Sequence, residues 1–346
     1  MMRFTGALLL ASLAFGQAPR AVRFSQNPLI TQQMSARLGD NINGPSLVRV
    51  PAWVEHPLGR YYLYFAHHKG SFIRMAYANE LAGPWKLYEP GVMEVKDTEF
   101  YRPQPDNPAL TETFYTHVAS PEVVVDEANH RFVMLVHGWY TAGNKWPGDQ
   151  REAARWSREN GYAQFSQSTV SADGLHFTAR PGIAARTSYA RVFQWKSAWY
   201  SMGRLGVLGR AEQVQGPFES GPNPFAEGTY AGKVRHVATL LRGSTLYVFF
   251  TGIGDAPERI LLSTIALSGD WRTWRASPPV EVLRPEASYE CTGLAPAPSK
   301  AGDAEGPENA VRDPGLIEDN GRVVMFYSYC GEQGLAAADV TAFIRE

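Results

Sequence analysis

The chain has 346 residues, a formal charge of −1 and 19% charged residues, with nine Trp, sixteen Tyr and 24 Pro. A charge so near zero excludes a nucleic-acid binder that works by bulk electrostatics. The aromatic, turn-rich composition excludes a disordered chain or a coiled coil and fits one large all-β domain or two ordinary domains.

The chain opens on "MMRFTGALLLASLAFGQAPR". Arg3 forms a short positive region, residues 6–15 an apolar run, and Ala14 and Gly16 obey the small-residue rule for cleavage before Gln17. The run is too short to span a bilayer comfortably. Residues 1–16 therefore read as a secretory signal peptide, and residues 17–346 as one exported domain, extracellular or periplasmic and without a membrane anchor.

Five segments then repeat one plan: a polar or small opening, a β run, a turn, an aromatic strand and a further strand. They open at "NGPSLVRV", "ASPEVVVD", "SYARVFQW", "VRHVATLL" and "VRDPGLIE", and the first four close on "GPW", "GLHF", "GPF" and "GDW". Runs such as "RYYLYF" and "TLYVFF" are apolar on both faces, as in sheets covered on both sides. Repeated sheets of about four strands, each too small to stand alone, predict a five-bladed β-propeller with four-stranded antiparallel blades. The fifth segment stops early, so a strand near residues 21–24 is expected to complete the last blade. A pair of β-sandwiches would not repeat the same openings and closings. Residues 96–117 and 141–161 fall outside the repeat and read as long loops on one rim, the second with a short helix at "REAARWSREN".

The openings and closings "GPSLVRV…GRYYLYF", "SPEVVVDEANHRFVMLV", "STVSADGLHF" and "RDPGLIEDNGRVVMFYS" resemble those of the five-bladed propeller glycosidases. These are glycoside hydrolase family 43 and its relatives that act on furanosides and fructans. The resemblance spans residue 41 to the C-terminus and implies acidic residues at the inner ends of the blade strands, around a sugar-binding funnel. The first-blade Asp-Pro of those families, a base or nucleophile, is Gly44-Pro45 here, so that aspartate is missing. The fructan-active relatives use an Arg-Asp-Pro as stabiliser and a Glu-Cys as acid. This chain has Arg312-Asp313-Pro314 and Glu290-Cys291, in the opposite order along the chain.

Read off the repeats, the positions facing the propeller axis are Asn43 and Ser46, Ser120 and Glu122, Tyr189 and Arg191, Arg235 and His236, and Arg312 and Asp313. That set is polar and leans cationic, which suits a wet, anion-tolerant pocket better than a solid core. Asp313 is the leading catalytic carboxylate, with Arg312 either clasping it or gripping a substrate anion. Glu290 and Glu122 are candidates for the protonated partner that glycoside hydrolysis needs, with Glu332 a weaker third. His236 reads as a proton shuttle, a cation ligand or a satisfied core histidine. Arg235, Arg191, Tyr189, His68 and the loop residue Trp146 are candidates for substrate binding. Of the adjacent His67 and His68, only one can face the pocket comfortably. Asp255 and Glu258 read as a polar turn. Cys291 and Cys330 form one disulfide or remain two buried thiols, and the sequence leaves both open.

The expected function is a secreted carbohydrate-active protein, first a glycoside hydrolase on a plant or microbial saccharide, with an anionic sugar favoured by the hub. The alternatives are a polysaccharide lyase on the same fold, with His236 or Tyr189 as base, or a non-catalytic sugar-binding propeller. No cofactor is required, a central cation such as calcium is compatible with the hub, and the partner is a carbohydrate met by a monomer.

Overall fold

In the strand Tyr61–Ala66 every side chain is buried. Tyr62, Tyr64 and Ala66 pack with Val123, Phe132 and Met134 on one side, while Tyr61, Leu63 and Phe65 pack with Val324, Phe326 and Leu335 on the other. The period-two alternation of a strand is intact, but both faces meet a neighbouring sheet. The apolar runs are therefore two-sided because each blade is wedged between two others.

The computed structural model describes residues 19–111, 113–141 and 145–345, and the expected signal peptide lies outside them. The sheets are five antiparallel blades in chain order. Blade I comprises Asn43–Arg49, Tyr61–Ala66, Phe72–Ala78 and Lys86–Glu94. Blade II comprises Ala119–Asp126, Arg131–Tyr140, Ala163–Ser171 and Thr178–Ala179. Blade III is shorter, with Arg191–Trp195, Ala198–Met202, Leu208–Ala211 and Glu219–Ser220. Blade IV comprises Val234–Arg242, Thr245–Gly252, Ile260–Ala266 and Val280–Leu283. Blade V has Val311–Asp319, Arg322–Tyr329 and Gly334–Asp339.

The N-terminal segment completes blade V. Val22–Arg23 pairs with Asp339 and Ala338, and Ile30–Thr31 with Leu335 and Gly334, on the same strand. Between them the Asn27 side chain stands in for a strand: its amide donates to the Ala337 carbonyl at 2.8 Å and accepts the Ala337 N–H at 2.9 Å. The closing strand expected near residues 21–24 is present, and a second short strand reinforces it.

The core is divided among the five blade interfaces, one apolar cluster to each. The closing motifs explain themselves here. Trp85, Phe177, Phe218 and Trp271 each fill the wedge between their own blade and the preceding one. Gly221 makes room for Trp271, since a Cβ there would lie 2.1 Å from the indole. Blade V lacks such a motif, and Phe343, just beyond its last repeat strand, fills the corresponding wedge.

The two long loops pack on each other beside blade II. The helix Gln150–Glu159 is capped by Asp149, whose carboxylate accepts the N–H groups of Arg151 and Glu152. Phe114 from the first loop meets Trp156 at 5.4 Å and Tyr162 at 5.0 Å between ring centroids. Cys291 and Cys330 form a disulfide that ties the connection after blade IV to blade V.

Replacing Trp271 by Ala should destabilise the protein by about 3–5 kcal/mol, the usual range for a buried aromatic whose cavity cannot collapse. Urea denaturation followed by far-ultraviolet circular dichroism checks this, and a loss under about 1 kcal/mol would contradict the wedge role.

Candidate active site

The inner strand of a blade does not run straight into the hub. In blades I, II, IV and V the first hairpin carries a bulge, at Gly44-Pro45, Ser120-Pro121, His236 and Asp313-Pro314. A bulge leaves a residue outside the ladder and re-aims its side chain. The proline in three of them suits a position that donates no ladder hydrogen bond. Ser120, Asp313 and, just before the inner strand of blade III, Tyr189 hold φ values of 44°, 53° and 57°. Such left-handed conformations are unfavourable for residues with a side chain and mark over-determined positions. At Gly44, which holds a φ of 63°, a Cβ would lie 3.0 Å from the Ser120 Cα, so the position of the expected first-blade aspartate is tight for any side chain.

Beneath the hub lies a buried ionic floor. The Arg312 side chain is 1% exposed and is ion-paired to Glu258 at 2.7 Å, to Glu332 at 3.4 Å and to Glu308. Arg235 lies 3.5 Å from Glu258 and 3.8 Å from Glu332, and donates to the carbonyls of Lys300 and Gly302. Glu332 also accepts from the Asn41 and Asn43 amides and lies 3.7 Å from His68 Nδ1. Burial pushes the Glu332 carboxyl up, but His68, Arg312 and Arg235 outweigh it and hold it well below the usual carboxylate range.

Arg312 and Asp313 do not clasp each other. Asp313 turns to blade IV, where its carboxylate meets His236 Nδ1, and it accepts from Ser328 Oγ at 3.2 Å. Burial first, then the Arg235 charge, pushes His236 well below the ordinary imidazole range. A neutral imidazole that gives Nδ1–H to a carboxylate keeps its lone pair on Nε2. No hydrogen bond to that nitrogen is present among the described residues, and the ring lines a cavity of about 260 Å³ at this end of the inner strands.

Tyr189, His68 and Arg235 line the same cavity, joined by Tyr115, Trp139, Gln164, Arg204 and Asp303. Tyr189 lies between two imidazoles, its ring 4.3 Å from those of both His236 and His137, with its hydroxyl 3.4 Å from His68 Nε2. Burial raises the Tyr189 phenol above its ordinary value, so it stays protonated. His67 turns away from this cluster to Asp40, at 3.1 Å. His117 and His137 are buried behind it, and burial drives His117 down to about 3.

The other sequence candidates lie elsewhere. Glu122 and Arg191 form a 2.7 Å ion pair further along the inner strands, and Arg191 also donates to the carbonyls of Val237, Pro121 and Pro45. The pair lines a separate cavity of about 300 Å³ with Ser46. Glu290 is buried beside the blade IV–V wedge, not in the funnel. It accepts from Arg23 twice, at 2.9 Å each, from Tyr327 at 2.8 Å and from the N–H groups of Glu286 and Ala287. Trp146 packs into the loop cluster with Phe114 and Trp156 and donates to the Pro103 carbonyl, and it does not line the cavity. The four catalytic candidates therefore do not converge: Asp313 and His236 meet, and Glu290 and Glu122 stand apart. The cationic hub is also cancelled, with Glu258, Glu308 and Glu332 facing Arg312 and Arg235. Asp255, read as part of a turn, accepts from Tyr230 at 3.0 Å, whereas its neighbour Glu258 belongs to the ionic floor.

Sequence reasoning missed Tyr115, Gln164, Arg204 and Asp303 because they come from rim loops and second or third strands, where the repeat aligns nothing. Among the described residues no three His, Cys, Asp or Glu side chains are grouped to hold a metal ion, and no helix is long and apolar enough to cross a membrane.

The chain is 32% identical over 339 residues to an uncharacterized protein of Acanthamoeba polyphaga mimivirus, an alignment covering 92% of this chain and 89% of the viral one. It belongs to that protein's family. No family profile matches the chain. Solved structures share its fold at low identity. A Parabacteroides distasonis protein provisionally assigned as a glycoside hydrolase superposes with a TM-score of 0.61 at 12% identity, over 94% of this chain and 97% of the other. A structure from the GH130 family of mannoside phosphorylases, described with glycoside hydrolases that target β-1,2 mannosidic linkages, gives 0.60 at 12% identity, over 96% and 95%. At such identity the likeness establishes the five-bladed propeller in this family and nothing about its chemistry.

Glu290 is assigned here to ring closure, because Arg23 sits on the N-terminal strand that completes blade V. Glu290→Ala should lower stability by roughly 1–3 kcal/mol, because it leaves the buried Tyr327 hydroxyl without that acceptor and removes one of the carboxylates of Arg23, which keeps Glu286 and the Arg284 carbonyl. Denaturant titration measures this, and a wild-type midpoint would refute the assignment.

Proposed function

We propose that this protein is a carbohydrate-active enzyme that breaks a glycosidic bond beside the Asp313–His236 pair. The observation that carries the proposal is the geometry of that pair. Asp313 holds Nδ1 of a neutral imidazole, and Nε2 faces a cavity that also presents a protonated tyrosine. Aromatic rings beside polar groups suit a sugar, and Tyr115 and Trp139 supply them. The fold shared with glycoside hydrolases supports a carbohydrate as the substrate.

Two reactions cleave such a bond. Hydrolysis in its usual form needs two carboxyl groups on opposite sides of the scissile bond. Among the described residues lining the cavity the one carboxylate is Asp303, itself paired with Lys69 at 3.1 Å, while Asp313 stands behind His236. Elimination from a uronate needs a base, an acid and a cation near the carboxylate, and the cavity supplies all three. His236 Nε2 takes the proton α to the carboxylate. The electron pair forms the new carbon–carbon double bond, the β carbon–oxygen bond breaks, and the Tyr189 hydroxyl gives its proton to the departing oxygen. The proton on His236 then returns to the tyrosinate, directly or through solvent. The geometry favours elimination. Hydrolysis is the second reading, favoured by the fold neighbours.

Incubation with polyuronates should yield a product absorbing in the near ultraviolet through its double bond. His236→Ala should lower the rate by about 10²–10⁴-fold, the range for a lost general base. New reducing ends without that absorbance would establish hydrolysis instead, and no product from any bound glycan would leave a binding protein.

The pH profile gives a second test. A base must be deprotonated to act, so the acidic limb of kcat/KM follows the His236 pKa in the free enzyme. Because that pKa is lowered, activity should persist below the ordinary imidazole value of about 6.5. A limb at or above that value would contradict His236 as the base.

A further inference from the structure

The three arginines that the sequence places at the hub are buried, and their terminal nitrogens are turned to protein acceptors. Arg312 is surrounded by three carboxylates, Arg235 by two carboxylates and two carbonyls, and Arg191 by Glu122 and three carbonyls. Lys69 is paired with Asp303. A substrate carboxylate placed on any of these would have to displace a protein acceptor.

Arg204 is different. Its guanidinium is exposed, lines the cavity and makes no hydrogen bond or ion pair among the described residues. Its positive charge is felt by Tyr189 and by His137 behind it, so it stands on the side of the cavity where the tyrosine acts. Its backbone, by contrast, is pinned. Arg204 N–H donates to the Ser188 carbonyl at 2.9 Å, Gly203 N–H to Val207 at 2.9 Å, and Asn223 holds the Leu205 carbonyl at 2.6 Å. Gly203 is required for this turn, since a Cβ there would lie 2.3 Å from the Thr187 side chain. A fixed stem with an unengaged planar fork is the arrangement that receives a carboxylate in bidentate fashion. Gln164, another lining residue, also has a side-chain amide without a partner among the described residues.

We propose that Arg204 is the residue that recognises the substrate carboxylate and thereby selects an acidic sugar, an inference that rests on the elimination chemistry above. The floor beneath the cavity holds two guanidinium groups against three carboxylates, so it does not itself attract an anion. Selectivity for a uronate over the matching neutral hexose falls to Arg204, the one unopposed cation among the described residues that line the cavity.

The test is calorimetric titration of the full-length protein with galacturonate and glucuronate, and with galactose and glucose. The wild type should bind at least one uronate more tightly than its neutral counterpart. Arg204→Gln should weaken that uronate by about tenfold or more and leave the hexose affinities unchanged, the effect of losing a charge-assisted hydrogen bond. Arg204→Lys should restore part of the loss. Arg204 is exposed, so an unchanged thermal unfolding midpoint will confirm that the variants fold. Uronate affinity unchanged in Arg204→Gln, equal affinity for both sugar classes, or binding of neither would overturn the proposal. Arg204-dependent uronate binding without an unsaturated product would uphold this assignment and remove the elimination reaction.

Discussion

The hub depends on one buried cation. Arg312 is withdrawn from water and stabilised by Glu258 of the blade IV region, Glu308 of the following connection and Glu332 beyond the second strand of blade V. Taking these charges out of water is expensive, and the arrangement holds only while all of them are present. The same Glu332 is gripped by Asn41 and Asn43 at the start of blade I and neighbours His68 at the top of it. Blades I, IV and V are thus bound at the axis by polar contacts, while their flanks are bound by apolar wedges. The disulfide reinforces the arrangement, since Cys330 stands two residues before Glu332 and anchors the connection that carries Lys300, Gly302 and Glu308.

On this floor the bulged strand starts decide what faces the cavity. A regular strand would send Arg312 and Asp313 to opposite faces, each toward a different neighbouring blade. With the bulge, Arg312 turns down into the ionic floor and Asp313 across to His236. Tyr189, held at positive φ, stands between His236 and His137. Burial pushes His236 and His137 well below the ordinary imidazole range, which is what the proposed proton transfer through imidazole and phenol requires. At Gly44, where the resemblance leads one to expect an aspartate, a Cβ would crowd Ser120.

The fold was legible because repetition and two-sided apolar strands have a single physical explanation. "RYYLYF" is buried on both faces because blades flank it, and "GPW", "GLHF", "GPF" and "GDW" recur because every wedge needs an aromatic plug. The hub residues were legible to the same extent: His236, Tyr189, Arg235 and Asp313 were found by aligning blade openings. Glu290 was misplaced because a short Glu-Cys match carries no information about direction. Its cysteine does bond to Cys330, but its carboxylate faces Arg23 across a sequence separation of 267 residues. Arg204 and Asp303 were invisible because they lie on irregular rim segments that no repeat aligns.

The amino-acid sequence alone determined the five-bladed architecture, the closure by an N-terminal strand and the polar character of the axis, since these follow from local periodicity and recurring motifs. Only the tertiary structure decided which charges cancel. Arg312 and Asp313 are neighbours in sequence, yet each takes its partner from another segment of the chain, because strand alternation and the bulge at Asp313-Pro314 together set which neighbouring group each one meets. The separation of a neutralised ionic floor from an Asp313–His236 pair facing the cavity, with Arg204 left unopposed at its edge, is a property of distances between blades. No local pattern encodes those distances.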